Sequence, residues 1–490
     1  MELSVALVIV KSTATEVVVL VRLHSKQTDR AVGVLVGQAA GDALGVPYEY
    51  GSATLVGEPQ MLGGGLGGIA PGQWSDDTEM ALCIAEVAAT GADLRTDDAL
   101  EQIAQGFLRW YDDGPPDIGN QTRRVLSETK RRGSSAAAMR EYSQELHERT
   151  GKTAGNGSLM RTGPVALAHL GDPTGLAEAS RAVSALTHYD PVAGDACVLW
   201  CHAIDHAVRT GELDVRVGLS HVDASYWSPL LDEAETREPS HYAHSNGWVV
   251  AALLGAWSAV SRTDSLVAGL HAAVAGGGDT DTVAAIAGQL LGARYGAGAV
   301  SARYRRRLHG WPGLRVRDLH RLAFLTVHGG RPGPDGWPGV ATIPSYRQAA
   351  TTVTRHPDDE GVLLGAVGAV RPGVADAVVS MCRMGTPLAG IPPEDHVEFW
   401  VIDKEDANND LAGQLMDAAR TVLELRQEGK TVLLHCVHAH TRTPTAAAVY
   451  GALVTGSTPA EALQRVVAVL PSASPRRSFV RTLEQMERPA

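Results

Sequence analysis

Phenylalanine is scarce: four in 490 residues, against 53 glycines. With a large stock of alanine beside them, this suggests tightly packed helices with small faces. Cysteine is sparse too. The five, at 83, 197, 201, 382 and 436, form no paired framework and no CxxC spacing, which excludes a disulfide scaffold and a thiolate zinc site and suits a reducing cytoplasm. No apolar run reaches the ~18 residues of a bilayer-spanning helix. A net charge of −12 opposes binding to nucleic acid or an anionic membrane. One basic run, RYRRRLHGWPGLRVR (303–317), departs from this balance and reads as a solvated helix face. Residues 1–28 contain SVALVIV but lack the basic start and cleavage site of a signal peptide; this extension, hairpin or tail, is left unassigned.

What is present divides the chain. Its length exceeds one hydrophobic core. Residues 29–328 read as an all-α domain, with Ala/Leu/Val segments at helical spacing such as RAVGVLVGQAAGDALGV (30–46), DACVLWCHAIDHAV (195–208) and DTVAAIAGQLLGARYG (281–296). Glycines at 33, 37, 41 and 45 leave one bare stripe for a neighbouring helix. GGRPGPDGWPG opens a linker spanning 329–344. From 345 to 490, apolar runs VLLGAV (362–367), AVVSMC (377–382), EFWVI (398–402) and TVLLHC (431–436) alternate with helical stretches, which predicts an α/β domain on a parallel sheet.

Two acidic clusters mark the helical domain. WSDDTEM places Ser75, Asp76, Asp77 and Thr78 at a helix start, and GGGDTDTVAAI places Asp279, Asp281 and Thr282 at another. Helix capping explains one such cluster. Two, brought together, would repel and need cations between them, and an all-oxygen donor set selects Mg²⁺ or Mn²⁺. Further polar loops complete a pocket: GDALGVPYE with Asp42 and Glu49, DIGNQT with Asp117 and Asn120, GNGSLMR with Asn156 and Arg161, and LTHYD with His188.

GDALGVPYE, GQWSDDTEMAL, AGNGSLMRTGPVAL, SALTHYDP and GGGDTDTVAAIAG occur in the order found in the ADP-ribosylglycohydrolase family, which this chain resembles over about 29–325. The resemblance implies an all-helical fold with two Mg²⁺ ions gripping the distal ribose of ADP-ribose. It implies Ser75, Asp76, Asp77, Asp279, Asp281 and Thr282 as metal ligands. Asp42, Asp117, Asn120, Asn156, Gly157, Ser158, Arg161 and His188 are implied as substrate contacts. Glu49 would be the acid that assists the leaving group, and Asp76 or Asp281 would polarise the attacking water. The expected partner is an ADP-ribosylated protein or small molecule.

In the last domain, HCVHAHTRTP gives Cys436-x5-Arg442, after a strand and before a helix with Pro444 in its first turn, the geometry that points backbone N–H groups at an anion. The stretch resembles the signature loop of dual-specificity and protein-tyrosine phosphatases, over about 345–485. The resemblance implies Cys436 as nucleophile, Arg442 as phosphate clamp, Thr443 as an aid to the thiolate, and a general acid in WVIDKEDANND: Asp406, with Asp403 the alternative. Ala439 stands where that family prefers glycine, so a domain that only binds phospho-ligands or partners is the competing reading, and an ADP-ribose reader without catalysis competes with the whole.

Overall fold

The computed structural model describes residues 7–11, 17–21, 23–388 and 390–488. The extension 1–28 lies partly outside them; within them, Leu7–Lys11 and Val17–Val21 pair antiparallel and the first helix begins at Ser25. Two compact units follow. One holds the chain to Val300 together with Arg307–Arg331, and the other holds Ser301–Arg306 and the chain from Pro332 onward.

The first unit is built from helices around one unusually close pair. The helix Ser25–Gly45 lies along the helix Thr280–Tyr295, and the glycine stripe is its seam. A Cβ on Gly33 would stand 2.2 Å from the Gly292 carbonyl oxygen; on Gly37, 2.3 Å from that of Gly288; on Gly41, 2.0 Å from that of Ala284. Only bare backbone approaches so closely. At the end of the seam the same rule brings Gly45 against Asp281, so Asp42 and Asp281, far apart in sequence, meet. Gln38, fully buried, donates to the backbone oxygens of Asp77 and Met160 and fastens the helix Asp76–Ala88 to this pair. His202 has both ring nitrogens against backbone carbonyls, and all five cysteines are free and buried, so Cys197 and Cys201 belong to the core. Among the described residues no helix is long and apolar enough to cross a membrane.

The second unit carries a five-stranded sheet in the order Val353–His356, Asp359–Ala366, Val432–Cys436, Ala377–Ser380, His396–Glu398. The last four are parallel; the first pairs antiparallel with the second, so the expected parallel sheet is mixed. Residues 357 and 358 form a turn too short for a crossover, which forces a hairpin. EFWVI is also displaced: the strand ends at Glu398, Phe399 N–H makes a last bond to Ser380 O (2.7 Å), and Val401 is buried beyond the pairing. Burial of a loop there reads like burial of a strand. The basic run is not a solvated helix face. Its helix spans only Ala302–Arg305, Arg305 is buried and donates to the Glu398 carbonyl (2.7 Å), and Arg306 is paired with Glu428 (3.1 Å).

Candidate active sites

In the first unit the two acidic loops share one pocket. Ser75 and Asp279 stand at N-cap positions, yet neither side chain caps its own helix. The helix Asp76–Ala88 is capped from a distance by Asp42, whose Oδ1 accepts from Ser75 N and Oγ (both 2.8 Å) and whose Oδ2 accepts from Thr78 N (3.0 Å) and Oγ1 (2.6 Å). Four donors use both oxygens, so Asp42 braces the loop and is not presented to a substrate, a departure from the expected contact. Burial pushes its pKa up to about 6 against those bonds.

With capping done by Asp42, the neighbouring carboxylates are left to each other. One oxygen each from Asp42, Asp77 and Asp281, and from Glu49, Asp279 and Asp281, lie within 4.8 Å of one another. Asp77 Oδ1 and Asp281 Oδ1 are buried without a hydrogen-bond partner. Asp76, Asp77 and Asp281 are held well above the ordinary carboxylate range by burial, then by neighbouring carboxylates. Orphaned, crowded carboxylate oxygens are costly unless a cation lies between them. The donor set is all oxygen, so these residues fit a hard divalent ion such as Mg²⁺ or Mn²⁺. Asp77, Asp279 and Asp281 would hold it, with Ser75, Asp76 and Thr282 beside them; Ser75 Oγ is 3.0 Å and Thr282 Oγ1 3.4 Å from Asp77 Oδ2.

Glu49 sits in the turn Val46–Gly51, buried, its pKa pushed up to about 8 by burial and then by Asp279. Tyr50, next to it, has a left-handed backbone (φ 45°) and donates its hydroxyl to Asp279 Oδ2 (3.2 Å). Asn156 Nδ2 donates to the same oxygen (2.8 Å) and to the Asn246 carbonyl (2.9 Å), while Asn246 Oδ1 accepts from Asp279 N (3.0 Å). Asp117 is half-buried and is the first charge acting on Asp76; Asn120 is exposed.

Other expected contacts are turned inward. Arg161 is fully buried, its guanidinium over the Phe107 ring (4.4 Å) and bonded to Thr187 Oγ1 (2.7 Å). Ser158 is buried, with its hydroxyl 3.6 Å from Cys197 Sγ. His188 is buried against the 155–158 loop, where a Cβ on Gly157 would lie 3.0 Å from its ring. Tyr50 and Asn246 gave no sequence signal, since neither belongs to a charged cluster. Glu79 was also missed: it is buried, accepts from Trp110 Nε1 (2.6 Å), and burial raises its pKa to about 7.

The second site is a strand, loop and helix in one unit. Cys436 ends its strand, buried, and Arg442 opens the helix Arg442–Thr455. No backbone N–H of residues 438–442 donates to a backbone acceptor among the described residues. Ala439 takes φ 57°, the conformation that glycine adopts without strain. Arg442 Nη1 donates to the carbonyls of Met381 (3.1 Å) and Val401 (2.9 Å), which aims the guanidinium along the loop; its buried Nε has no hydrogen bond. Thr443 Oγ1 faces the Gly365 carbonyl (3.4 Å), not the thiol. Asp403 lies 4.0 Å from Arg442 Nε and is anchored by Arg476 (2.8 Å), whereas Asp406 is exposed with φ 54°. His438 and His440 flank Ala439 on the exposed side.

The sequence model for ADP-ribosylglycohydrolase matches residues 23–332. The chain is 31% identical over 279 residues to the ADP-ribosyl-[dinitrogen reductase] glycohydrolase of Rhodospirillum rubrum, covering 55% of this chain and 86% of that protein. It is 30% identical over 281 residues to the ADP-ribosylarginine hydrolase Tri1 of Serratia proteamaculans (strain 568), covering 56% and 73%. The C-terminal region is similar to the dual specificity protein phosphatase 1 of Arabidopsis thaliana, 30% identical over 135 residues, 26% of this chain and 67% of that one.

Proposed function

The chain belongs to the ADP-ribosylglycohydrolase family through residues 23–332, and from that premise we propose that its first unit hydrolyses the bond between ADP-ribose and an arginine side chain of a modified protein. The observation that carries this reading is the crowd of buried carboxylates with orphaned oxygens at Asp77 and Asp281. The acceptor is suggested by the arginine hydrolase among its relatives. A bound Mg²⁺ or Mn²⁺ pair would supply positive charge that orients the ribose hydroxyls and offsets the carboxylates.

The residues supply the rest. Glu49 keeps its proton at neutral pH, so it donates that proton to the departing guanidine nitrogen as the C1″–N bond breaks. Asp76, less buried than Asp77 and ionised once a cation offsets the carboxylates that raise its pKa, takes a proton from the water whose oxygen bonds to C1″. The ring of carboxylates around them stabilises the positive charge that develops on the sugar. Asn156, shared between Asp279 and Asn246, holds the two loops in register. The test is release of ADP-ribose from an arginine-modified protein. Turnover with Mg²⁺, stopped by EDTA and reduced at least a hundredfold by Glu49→Gln, supports the reading; an indifferent Glu49→Gln or EDTA-resistant turnover overturns it.

For the second unit we infer a cysteine phosphatase. Cys436 attacks phosphorus and keeps the phosphoryl group as the P–O ester bond breaks, Arg442 binds the equatorial oxygens through Nε, and the departing alcohol oxygen is protonated by Asp403; water then releases phosphate from sulfur. Asp403 replaces the expected Asp406 because it alone of the two stands beside Arg442. Hydrolysis of p-nitrophenyl phosphate abolished by Cys436→Ser supports this, and absent turnover with retained phosphate binding favours the binding module.

A further inference from the structure

Thr187 joins two buried side chains whose hydrogen-bond polarity is fixed at one end. Arg161 Nη2 donates to Thr187 Oγ1 at 2.7 Å, and a guanidinium has no acceptor to offer. The hydroxyl oxygen can accept a second bond, but its single proton has no acceptor among the described residues other than His188 Nδ1, also at 2.7 Å, so it goes there. Nδ1 is then an acceptor, and a neutral imidazole carries its proton on Nε2. Three observations show where that proton points. A Cβ on Gly155 would lie 3.3 Å from Nε2 and one on Gly157 3.1 Å from it, so this edge of the ring faces the 155–158 loop. Nε2 has no hydrogen-bond partner among the described residues. Asn156 of that loop reaches Asp279 in the acidic pocket.

Resting on the glycohydrolase reading, we propose that Thr187 is a positioning residue: it relays the donor polarity of buried Arg161 to His188, which offers an Nε2–H donor to an acceptor oxygen of ADP-ribose at the 155–158 loop. Arg161, which the sequence suggests as a substrate contact, acts on this account through two intermediaries. Burial and then Arg161 push the imidazole pKa down to about 3, which keeps the ring neutral and its two nitrogens different. A glycine at 155 and at 157 leaves room for both the ring edge and the ligand oxygen. The relay works by geometry alone; nothing on the ring is asked to titrate.

The test uses the full chain labelled with ¹⁵N-histidine, with His188→Gln identifying the His188 signals, and ADP-ribose with Mg²⁺ as the titrant in calorimetry. Wild type and Thr187→Ser should show His188 as one tautomer protonated on Nε2, with equal ADP-ribose affinity. Thr187→Val keeps the shape, removes the relay, and should show mixed tautomers and about tenfold weaker binding, the size of one lost hydrogen bond. A wild-type imidazole protonated on Nδ1 overturns the proposal without any variant, which covers the case in which Thr187→Val does not fold. A folded Thr187→Val with unchanged tautomer and affinity overturns it equally. A wild type with the Nε2–H tautomer that does not bind ADP-ribose leaves the relay standing, removes its ligand, and overturns the glycohydrolase reading instead.

Discussion

Replacing Asp281 by asparagine should make the cation-free protein more stable while removing its response to magnesium. Asp281 shares the pocket with Asp42, Asp77, Asp279 and Glu49, and its Oδ1 is buried without a partner. At 4.8 Å, the outer separation within either group of three, two ionised oxygens repel by about 3 kcal/mol at an effective dielectric of ~20. Proton uptake relieves part of this, since burial and the neighbouring carboxylates already hold Asp281 well above its ordinary range. A net gain of roughly 1–2 kcal/mol remains for the neutral isostere, or ~2–8 °C in melting midpoint. Seven of the nine tryptophans lie in the first unit, so thermal unfolding followed by tryptophan fluorescence reports on it. In EDTA, Asp281→Asn should melt above wild type; with 5–10 mM MgCl₂ added (about tenfold over a weak site), wild type should rise and the variant should not. A variant that melts at or below wild type in EDTA, as loss of an ordinary buried hydrogen-bonding residue would give, refutes the repulsion argument. A preserved magnesium response refutes the ligand assignment.

Gly41→Ala drives a methyl to 2.0 Å from the Ala284 carbonyl oxygen and should cost more than about 3 kcal/mol or abolish soluble expression, measured by urea unfolding; a loss under about 1 kcal/mol would mean that the helix seam is not so tight. Ala439→Gly relieves a left-handed alanine and should stabilise the second unit by about 0.5–1 kcal/mol, with phosphatase turnover retained; a destabilised variant would contradict the strain. His435 is fully buried, and burial pushes its pKa from 6.5 down to about 3, so below pH 6.5 the unfolded chain takes up a proton that the folded chain refuses. Its contribution is intact above pH 6.5 and falls by up to about 1.4 kcal/mol per unit as pH drops toward 3. The stability advantage of wild type over His435→Gln should therefore narrow between pH 7.5 and pH 5, and a pH-independent gap would refute this. Asp403→Asn should lower p-nitrophenyl phosphate turnover at least a hundredfold and Asp406→Asn should barely change it; the reverse ranking would restore Asp406.

Much of this architecture is legible in the sequence because some physical demands leave few choices. A glycine at every fourth position has one use on a helix, close approach, and it is the seam that brings the two acidic loops together. Acidic residues clustered at two helix starts announce a shared charge problem, and Cys436 with Arg442 between a strand and a helix announces an anion cradle. What stays hidden depends on three-dimensional neighbours. Asp42 looks like one more pocket carboxylate until Ser75 and Thr78 are seen to use both its oxygens. Asn246 fixes Asp279 from a stretch with no motif, and Arg161 carries a charge that gives no hint of full burial over Phe107. The basic residues Arg305 and Arg306 read as solvated because their partners, Glu398 and Glu428, lie about a hundred positions away. Asp403 and Asp406 are three residues apart on one loop, and only the place of Arg442 and Arg476 separates them.

The claim beneath the rest is that this carboxylate pocket binds divalent cations where the sugar of ADP-ribose is held. An anomalous difference map from crystals soaked with Mn²⁺ and ADP-ribose tests it most directly. Manganese peaks bounded by Asp77, Asp279 and Asp281, with ribose density against them beneath Glu49, are the predicted result. A pocket free of anomalous signal at saturating Mn²⁺, or ADP-ribose bound elsewhere on the first unit, would contradict the account.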